Sequence, residues 1–473
     1  RQHLTNIYFY VAKGLPPGLV VGCFKNCEAK VTRDEKLILK SRCDIRCYGE
    51  LAFTWTLYSY DNINSPEPYN LSVLHEFTSS QLTEMASSPI DALEIAIKPS
   101  VLEPKTKYIL AFRAYRPSGV FGELRYTLLT NDAPVDGTCS VSPLSGIAME
   151  TNFTVSCENW VDNESPLTVE FFYQIKTVRT TFFYRQIPSA GRVSATLLLT
   201  AGDENSDYRL NVSAAVKDRL GGMVKEDFAV QVAPQPGGIE LNQLQNLITG
   251  EGNALQDMFE SGNSALAVGL TSNIASTLNT LEKNTTSNDS SSTQQSDSSK
   301  QIRAQLLTSL ASANLSSKDT SSLEQMSAAV MALTNSDDLE PASQDASLQL
   351  TETLTTNLKE LSDEDQGFSN ILRGASNLVG GVGQMTKNIA KEASNISNEN
   401  GASDKVKRSV NLVNNIQSVL LDNLVANEPP VNIDSDELSM QVEKVMLQNL
   451  ASNGNDVKGA KFGVPSVDAL GIG

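Results

Sequence analysis

Histidine, basic charge and long apolar runs are all scarce in this sequence. Only His3 and His75 occur among 473 residues, which disfavours histidine-based catalysis and histidine-rich metal sites. Lys and Arg number 37 against 55 Asp and Glu, so the net charge is −18. Because phosphate binding needs concentrated basic charge, the sequence predicts no nucleic-acid partner. No run of apolar residues is long enough to span a bilayer.

Catalytic motifs are missing as well. The sequence has no Gly-x-Ser-x-Gly, no P-loop, no dinucleotide-binding glycine motif, no His-Glu-x-x-His and no EF-hand loop. We therefore predict a segment without enzymatic activity, catalytic residues, cofactor or bound metal. The acidic run Asp434–Glu437 lacks the spacing of a calcium loop and is interpreted as a helix N-terminus. The chain starts at Arg1 without a signal-peptide pattern, so we expect a piece of a longer protein.

What the sequence does contain changes sharply near residue 236. The first part holds all six cysteines, both tryptophans and 26 of the 29 aromatic residues, and its net charge is −3. The remainder has only Phe259, Phe368 and Phe462 as aromatic residues and carries a net charge of −15. This division predicts two different kinds of structure in one chain.

The first part has the patterns of β-strands. Residues Phe53–Tyr58 alternate bulky apolar and more polar side chains, and similar runs at Tyr108–Ala114 and Tyr208–Ala214 indicate a repeat of about 100 residues. Such a repeat predicts tandem β-sandwiches. Residues Leu102–Tyr108 resemble the approach to strand F of a fibronectin type III domain, where a tyrosine closes the corner between two strands.

The second part has helical periodicity. Three apolar faces predict amphipathic helices: Leu266, Leu270, Ile274, Leu278 and Leu281; Leu350, Leu354, Leu358 and Leu361; and Val410, Val413, Ile416, Val419, Leu420 and Leu424. Residues 284–300 contain no apolar side chain and are predicted to form a disordered linker. The glycine-containing stretch from Gly380 to Gly401 is predicted to be a surface loop.

The six cysteines give the most specific local signal. Cys23 and Cys27 form one Cys-x3-Cys pair, Cys43 and Cys47 form another, and Cys139 and Cys157 lie apart from both. An even number confined to the β-rich part favours disulfides in an extracellular protein. Cys139–Cys157 is the favoured single bond, and the pairing of the other four stays open. The alternative is a zinc site of four thiolates, which the x3 spacing makes less natural.

Eight Asn-x-Ser/Thr triplets also favour an oxidising, secretory environment, and the one at Asn163 is weaker because Pro166 follows it. The predicted glycosylation sites are Asn70, Asn152, Asn211, Asn284, Asn288, Asn314 and Asn395. Triplets in the Asn/Ser-rich segment carry less weight, since they arise there by chance.

One segment points to a known family. Residues Asn131–Pro143 contain Gly-x-Cys-x-Val-x-Pro, and Phe153–Trp160 contain Thr-Val-x-Cys-x-x-Trp, followed by Pro166–Thr168. This pattern resembles the receptor for egg jelly (REJ) module of the polycystin family, with Val169 in place of the family's tyrosine. The Cys-x3-Cys pairs and Trp55 are similar to the start of that module. In that family a leucine-rich helical segment leads into a GAIN domain, an autoproteolysis motif, a PLAT domain and membrane helices.

The resemblance implies a multidomain fold of tandem all-β, fibronectin type III-like sandwiches followed by an all-α region. The implied domains are an N-terminal lead-in, 1–22; a first sandwich, 23–132; a second sandwich, 133–236; a helical segment, 237–283; the linker, 284–300; a GAIN-like α-subdomain, 301–458; and the start of a GAIN β-subdomain, 459–473.

The resemblance also implies a function. It predicts an extracellular segment of a polycystin-like receptor or channel protein at the plasma membrane, acting in ligand binding, adhesion or mechanical signal transmission to a calcium-permeable channel. The expected partners are an extracellular protein or glycan and, through the rest of the protein, a channel subunit. Membrane attachment would come only from helices beyond this chain. The alternative is a secreted or shed adhesion module that binds a glycan or protein.

Overall fold

A computed structural model describes most of the chain, and only these parts are discussed below. The described residues are 15–175, 178–187, 191–250, 253–284, 290–312, 319–364, 367–395, 399–446, 455–457 and 460–462. Residues 1–14, and with them most of the predicted lead-in, lie outside this range.

A first sandwich-like unit begins at Gly18, slightly before the predicted boundary at residue 23. Its strands are β1 (Gly18–Lys25), β2 (Leu37–Ile45), β3 (Ala52–Ser59), β4 (His75–Glu76), β5 (Glu94–Ile97), β6 (Lys107–Tyr115) and β7 (Phe121–Leu129). They form one sheet in the order β1-β2-β5 and another in the order β4-β3-β6-β7. Trp55 and Phe112 from the second sheet pack with Leu39 and Ile95 from the first in one core. A short helix, α1 (Ser79–Met85), starts at a capping box on Thr78.

A second sandwich-like unit follows. Its strands are β8 (Thr138–Ser142), β9 (Ser145–Ile147), β10 (Asn152–Glu158), β11 (Leu167–Ile175), β12 (Val178–Ile187), β13 (Arg192–Leu198), β14 (Arg209–Lys217) and β15 (Met223–Ala233). The two sheets have the orders β13-β10-β8 and β12-β11-β14-β15-β9. Alternate residues of both sheets, such as Phe153 and Val155 of β10 and Val212 of β14, are fully buried between them. The period-2 pattern of the sequence therefore buries one face of each sheet.

The second half of the chain is mainly helical. The helices are α2 (Leu241–Thr249), α3 (Ala254–Glu260), α4 (Ser264–Asn284), α5 (Ser290–Ser312), α6 (Thr320–Thr334), α7 (Pro341–Asp363), α8 (Phe368–Asn395) and α9 (Glu399–Asp422). The predicted apolar faces of α4 and α7 enter one large core, which includes Ile274, Leu278, Leu354 and Leu358. Among the residues described here, no helix has the length and apolar character needed to cross a membrane.

Two predicted loops are helical. Of the predicted linker, residues 290–300 belong to α5, where Ser299 is buried and Lys300 pairs with Asp338, so the prediction of disorder is wrong for these residues. Of the remaining positions, Asn284 is the last residue of α4, and 285–289 lie outside the described residues. The predicted loop from Gly380 lies largely within α8. Its glycines do not end the helix, and Gly380 lies where α8 closely approaches α6: a Cβ on Gly380 would be 3.0 Å from Met331 Sδ.

The end of the predicted α-subdomain is also different. Strands β16 (Val431–Asp434) and β17 (Ser439–Val442) form an antiparallel hairpin within the range 301–458, which is therefore not helical throughout. Asp434–Glu437 is the end of a strand and a turn, so its prediction as a helix N-terminus is wrong. Ile433 of β16 and the alternate residues Met440 and Val442 of β17 are buried. Strands β18 (Asn455–Val457) and β19 (Ala460–Phe462) form a second hairpin. The rest of 459–473 lies outside the described residues.

Candidate functional site

The disulfides of the first sandwich lie on the β1–β2 ladder. Cys23 bonds to Cys27, and Cys43 bonds to Cys47, with Cα–Cα distances of 5.6 and 5.8 Å. Each bond therefore closes one Cys-x3-Cys segment, which settles the pairing that the sequence left open and rules out the four-thiolate zinc site. Cys23 pairs in register with Leu39, and Cys43 pairs with Leu19, so the two bonds brace opposite ends of the ladder.

The third disulfide is in the core of the second sandwich. Cys139 on β8 lies directly opposite Cys157 on β10, and the bond predicted between them is present. Cys157 is fully buried. Next to this bond, Trp160 packs against the backbone of Gly137, where a Cβ would come within 2.2 Å of the indole ring. The Gly-x-Cys and Cys-x-x-Trp patterns of the sequence are thus joined twice, by the Cys139–Cys157 bond and by the packing of Trp160 on Gly137.

Three of the seven predicted glycosylation sites have described side chains. Asn70, Asn152 and Asn211 are all exposed, as attachment of a glycan would require. Asn70 also caps a short 3₁₀ turn by accepting a hydrogen bond from the backbone N–H of Ser72. The side chains of Asn284, Asn288, Asn314 and Asn395 lie outside the description.

Acidic residues gather where the two sandwiches meet. Carboxylate oxygens of Asp132, Asp162 and Glu164 lie within 4.8 Å of one another, the spacing of a possible cation site. Two of these carboxylates already face lysines: Lys105 Nζ is 2.5 Å from Asp132, and Lys30 Nζ is 2.6 Å from Glu164. The lysines supply the positive charge that a cation would otherwise bring, so we interpret the cluster as an ion-paired contact between sandwiches and assign no metal to it.

The pKa values of this cluster follow from the same contacts. Partial burial raises the pKa of Asp162 to about 6, while the hydrogen bond from Lys30 lowers the pKa of Glu164. Nearby, Asn131 donates to Asp218, and burial raises the pKa of the Asp218 carboxyl. The contact is thus built from polar and charged groups.

The first sandwich also touches the helical half through the segment that joins β1 to β2. Its residues Lys25, Glu35 and Lys36 reach the ends of three helices. Lys36 Nζ lies 3.1 Å from Glu428 Oε2, and the two side chains are only 11% and 4% exposed. Burial lowers the pKa of Lys36, and the carboxylate of Glu428 opposes that change. Sequence reasoning missed this contact, since no local pattern relates residues so far apart.

The helical half presents an apolar groove between α8 and α9. A groove of about 460 Å³ is lined by apolar residues that include Val382, Val410, Val413 and Leu438. Val410 is 53% exposed and Val406, one turn earlier on α9, is 37% exposed. The helical spacing of apolar residues along α9 predicted this face, which includes Val410 and Val413. The sequence could not show that the Val410 end of the face stays uncovered in the fold.

Comparisons with known proteins agree on one family. The family model of the REJ domain matches residues 1–273. A mouse protein described as polycystin family receptor for egg jelly is 21% identical over 229 residues, which cover 47% of this chain and 10% of that protein. Its human counterpart is 24% identical over 277 residues, covering 55% and 12%. Mouse polycystin-1-like protein 1 is 29% identical over 145 residues, covering 30% and 5%. The matches thus span at most about an eighth of these relatives.

Proposed function

Since this chain belongs to the REJ domain family, we propose that it is a non-catalytic extracellular segment of a polycystin-like membrane receptor or channel protein. In this role it binds an extracellular protein or glycan, supports adhesion, or passes a mechanical signal to a calcium-permeable channel. The match over residues 1–273 carries the proposal. It is supported by three disulfides in the β-rich half, which form and persist in oxidising compartments.

The fold suggests how such a segment is divided. We propose that the two sandwiches are fibronectin type III-like and that α5–α9 act as the α-subdomain leading into a GAIN domain. The support for the second assignment is the shared core, in which α6, α7 and α8 pack with Ile433 and Met440 of the β16–β17 hairpin. The helical half has few aromatic residues and strong acidic charge, so we expect it to yield to an applied load before the disulfide-braced sandwiches.

The experiment that tests the receptor role uses the full-length protein in cultured cells. An epitope inserted beside exposed Tyr48 is stained with and without permeabilisation. We expect staining of intact cells, and a mass shift after enzymatic removal of N-glycans that becomes smaller when Asn70, Asn152 and Asn211 are changed to Gln. Staining only after permeabilisation would show that the segment is not extracellular. Recovery of the epitope mainly from the medium would favour a secreted or shed adhesion module instead.

The mechanical part of the proposal needs its own measurement. Single molecules of the chain are stretched from both ends, and the length released in each step identifies the unit that opens. We expect the first unfolding step to release a helical unit. If a sandwich unfolds first, the helical half is not the softer element and this part of the proposal is wrong.

A further inference from the structure

The two sandwiches are attached to the helical half in different ways. The second sandwich shares apolar packing with it: Met149 and Leu198 belong to the same core as α4 and α6. Asn273 of α4 strengthens this joint, because it donates to the carbonyl of Leu198 and accepts a hydrogen bond from the hydroxyl of Tyr173. The core of the first sandwich contains residues of that sandwich alone. Its attachment to the helices is therefore not a continuation of a common core.

The first sandwich is held instead by charges placed at helix ends. We call residues 25–36, the last residue of β1 and the connection from it to β2, the clasp segment. Lys25 donates to the carbonyl of Ser362 in the last turn of α7, and Lys36 donates to the carbonyl of Asn423, just after α9, at 2.9 Å. Glu35 accepts hydrogen bonds from the N–H and hydroxyl of Ser369, in the first turn of α8, both at 3.3 Å. Each charge has the sign that the helix end favours.

Glu428 completes the contact from the other side. Besides Lys36, it accepts hydrogen bonds from the hydroxyl of Ser87 at 2.5 Å and from the backbone N–H of Val425 at 2.8 Å. The apolar part is small: Ile38, Ala96 and Val425 form a cluster of three, and Lys36 Nζ lies 4.7 Å from the centre of the Phe368 ring. Most of the contact therefore depends on buried charge, and the loss of one partner of a buried ion pair is strongly destabilising.

The connection to the second sandwich is polar too. Lys30 pairs with Glu164, and the hydroxyl of Thr32 donates to the carbonyl of Leu220. The chain crosses between the sandwiches from Asn131 to Val135, a stretch that belongs to no strand or helix named above. Since each sandwich has a separate core, the first can move relative to the rest without exposing either core.

We propose that the first sandwich is a hinged body, locked against the helical half by the clasp segment and Glu428, and that it swings about residues 131–135 when the clasp opens. This inference concerns the chain itself and does not depend on its role as a receptor. The closed form holds residues 36 and 428 together although 392 positions separate them in sequence. A movement of the first sandwich therefore acts directly on Glu428, in the segment that precedes the β16–β17 hairpin.

Hydrogen exchange on the whole chain tests the clasp through named backbone amides. Lys36→Met removes the charge and keeps a similar apolar stem, so Glu428 loses its cation. We expect exchange at the amides of Val425 and Ser369 to rise about tenfold or more, and the radius of gyration from X-ray scattering to increase. The amides of β2 and β6 should remain protected, because the sandwich itself stays folded. The matched control is Lys407→Met, which breaks an exposed pair with Asp404.

Two results would overturn the proposal. In the first, exchange at Val425 and Ser369 is unchanged in Lys36→Met and also in a second variant, Glu428→Gln. In the second, the amides of β2 and β6 lose protection together with those of Val425, which would mean that the sandwich unfolds when it is released. If Lys36→Met does not fold, Ser87→Ala is the milder variant, since it removes one hydrogen bond to Glu428 and leaves the ion pair.

Discussion

The hydroxyl of Tyr108 accepts a hydrogen bond from the backbone N–H of Glu103, with the oxygen and nitrogen 3.0 Å apart. Tyr108 is at the start of β6 and is only 2% exposed. Its side chain thereby ties the turn that enters the strand to the strand itself. This is the corner that the sequence Leu102–Tyr108 predicted.

Tyr108→Phe should therefore destabilise the first sandwich. The ring still fills the core, but the Glu103 N–H loses its acceptor, and we expect the free energy of unfolding to fall by about 1 kcal/mol. The measurement is urea unfolding of the chain followed by fluorescence of Trp55, with Trp160 replaced by Phe in parent and variants alike. Tyr126→Phe is the matched control on the neighbouring strand, where a half-buried tyrosine loses its hydroxyl. Equal effects of the two substitutions would show that the corner bond contributes nothing.

Local patterns predicted the elements well where packing follows from period alone. The run Phe53–Tyr58 lies within β3, Tyr108–Ala114 lies within β6, and the leucines from Leu350 to Leu361 lie on α7. These faces are buried whatever the partner is, so the pattern is sufficient. The repeat is less regular than the spacing suggested, because the residue equivalent to Tyr108 is Tyr208, which lies before β14 with a positive φ of 56°.

The predictions failed where a distant partner decides the conformation. Residues 290–300 have no apolar side chain, yet they continue a helix whose later turns bury Ile302 and Leu306. The clasp could not be predicted either, since Lys36 and Glu428 each look like ordinary surface charges until the fold brings them together. A composition rich in Ser, Asn and Gly predicts the absence of a helix only weakly, because tertiary contacts can outweigh the low helix propensity of these residues.

The disulfides should contribute unequally to stability. Cys139–Cys157 closes a segment of 18 residues and is in a core, whereas Cys43–Cys47 closes only 4 and Cys47 is exposed. A longer closed loop restricts the unfolded chain more, so replacing Cys139 and Cys157 with Ala should cost about 2–5 kcal/mol. The corresponding Cys43/Cys47 variant should cost distinctly less. Thermal unfolding of both double variants measures the difference, and a larger loss from the Cys43/Cys47 pair would contradict the expectation.

The Glu35 carboxyl should make stability depend on pH. Its pKa is raised because burial disfavours the charged form, although the N–H of Ser369 and the cations of Lys217 and Arg373 act in the opposite direction. The folded state thus binds this proton more tightly than the unfolded state. The stabilising contribution is complete below the unfolded pKa of about 4.5 and is lost as the pH rises through the raised value.

Glu35→Gln tests this sign. The amide oxygen of Gln can still accept the hydrogen bonds from Ser369. Because the amide is uncharged, its burial does not carry the free-energy cost of burying a charge. The variant should therefore match the parent near pH 4.5 and become relatively more stable as the pH rises to 7.5, measured by urea unfolding at several pH values. Glu50→Gln, at an exposed position of the same sandwich, serves as the control. A stability difference that is flat with pH for Glu35→Gln would refute the assignment.

Two glycines of α8 should respond in opposite ways to the same substitution. A Cβ on Gly374 would lie 3.5 Å from Leu323 Cδ2, an ordinary contact, so Gly374→Ala should stabilise the helix by up to about 1 kcal/mol. A Cβ on Gly383 would lie 3.0 Å from Leu438 Cβ and 3.3 Å from Glu437 Cβ. Gly383→Ala should therefore push the β16–β17 hairpin away and destabilise the chain despite the better helix propensity.

The hairpin position makes this pair of variants informative about the C-terminal end of the helical half. If the hairpin packs on α8 as described, exchange at the amides of β16 and β17 should accelerate in Gly383→Ala and stay unchanged in Gly374→Ala. Thermal unfolding gives the sign of each stability change. Should both substitutions stabilise the chain, then Leu438 does not lie against Gly383, and the presence of glycine at this position of α8 would have to be explained without close packing of the hairpin.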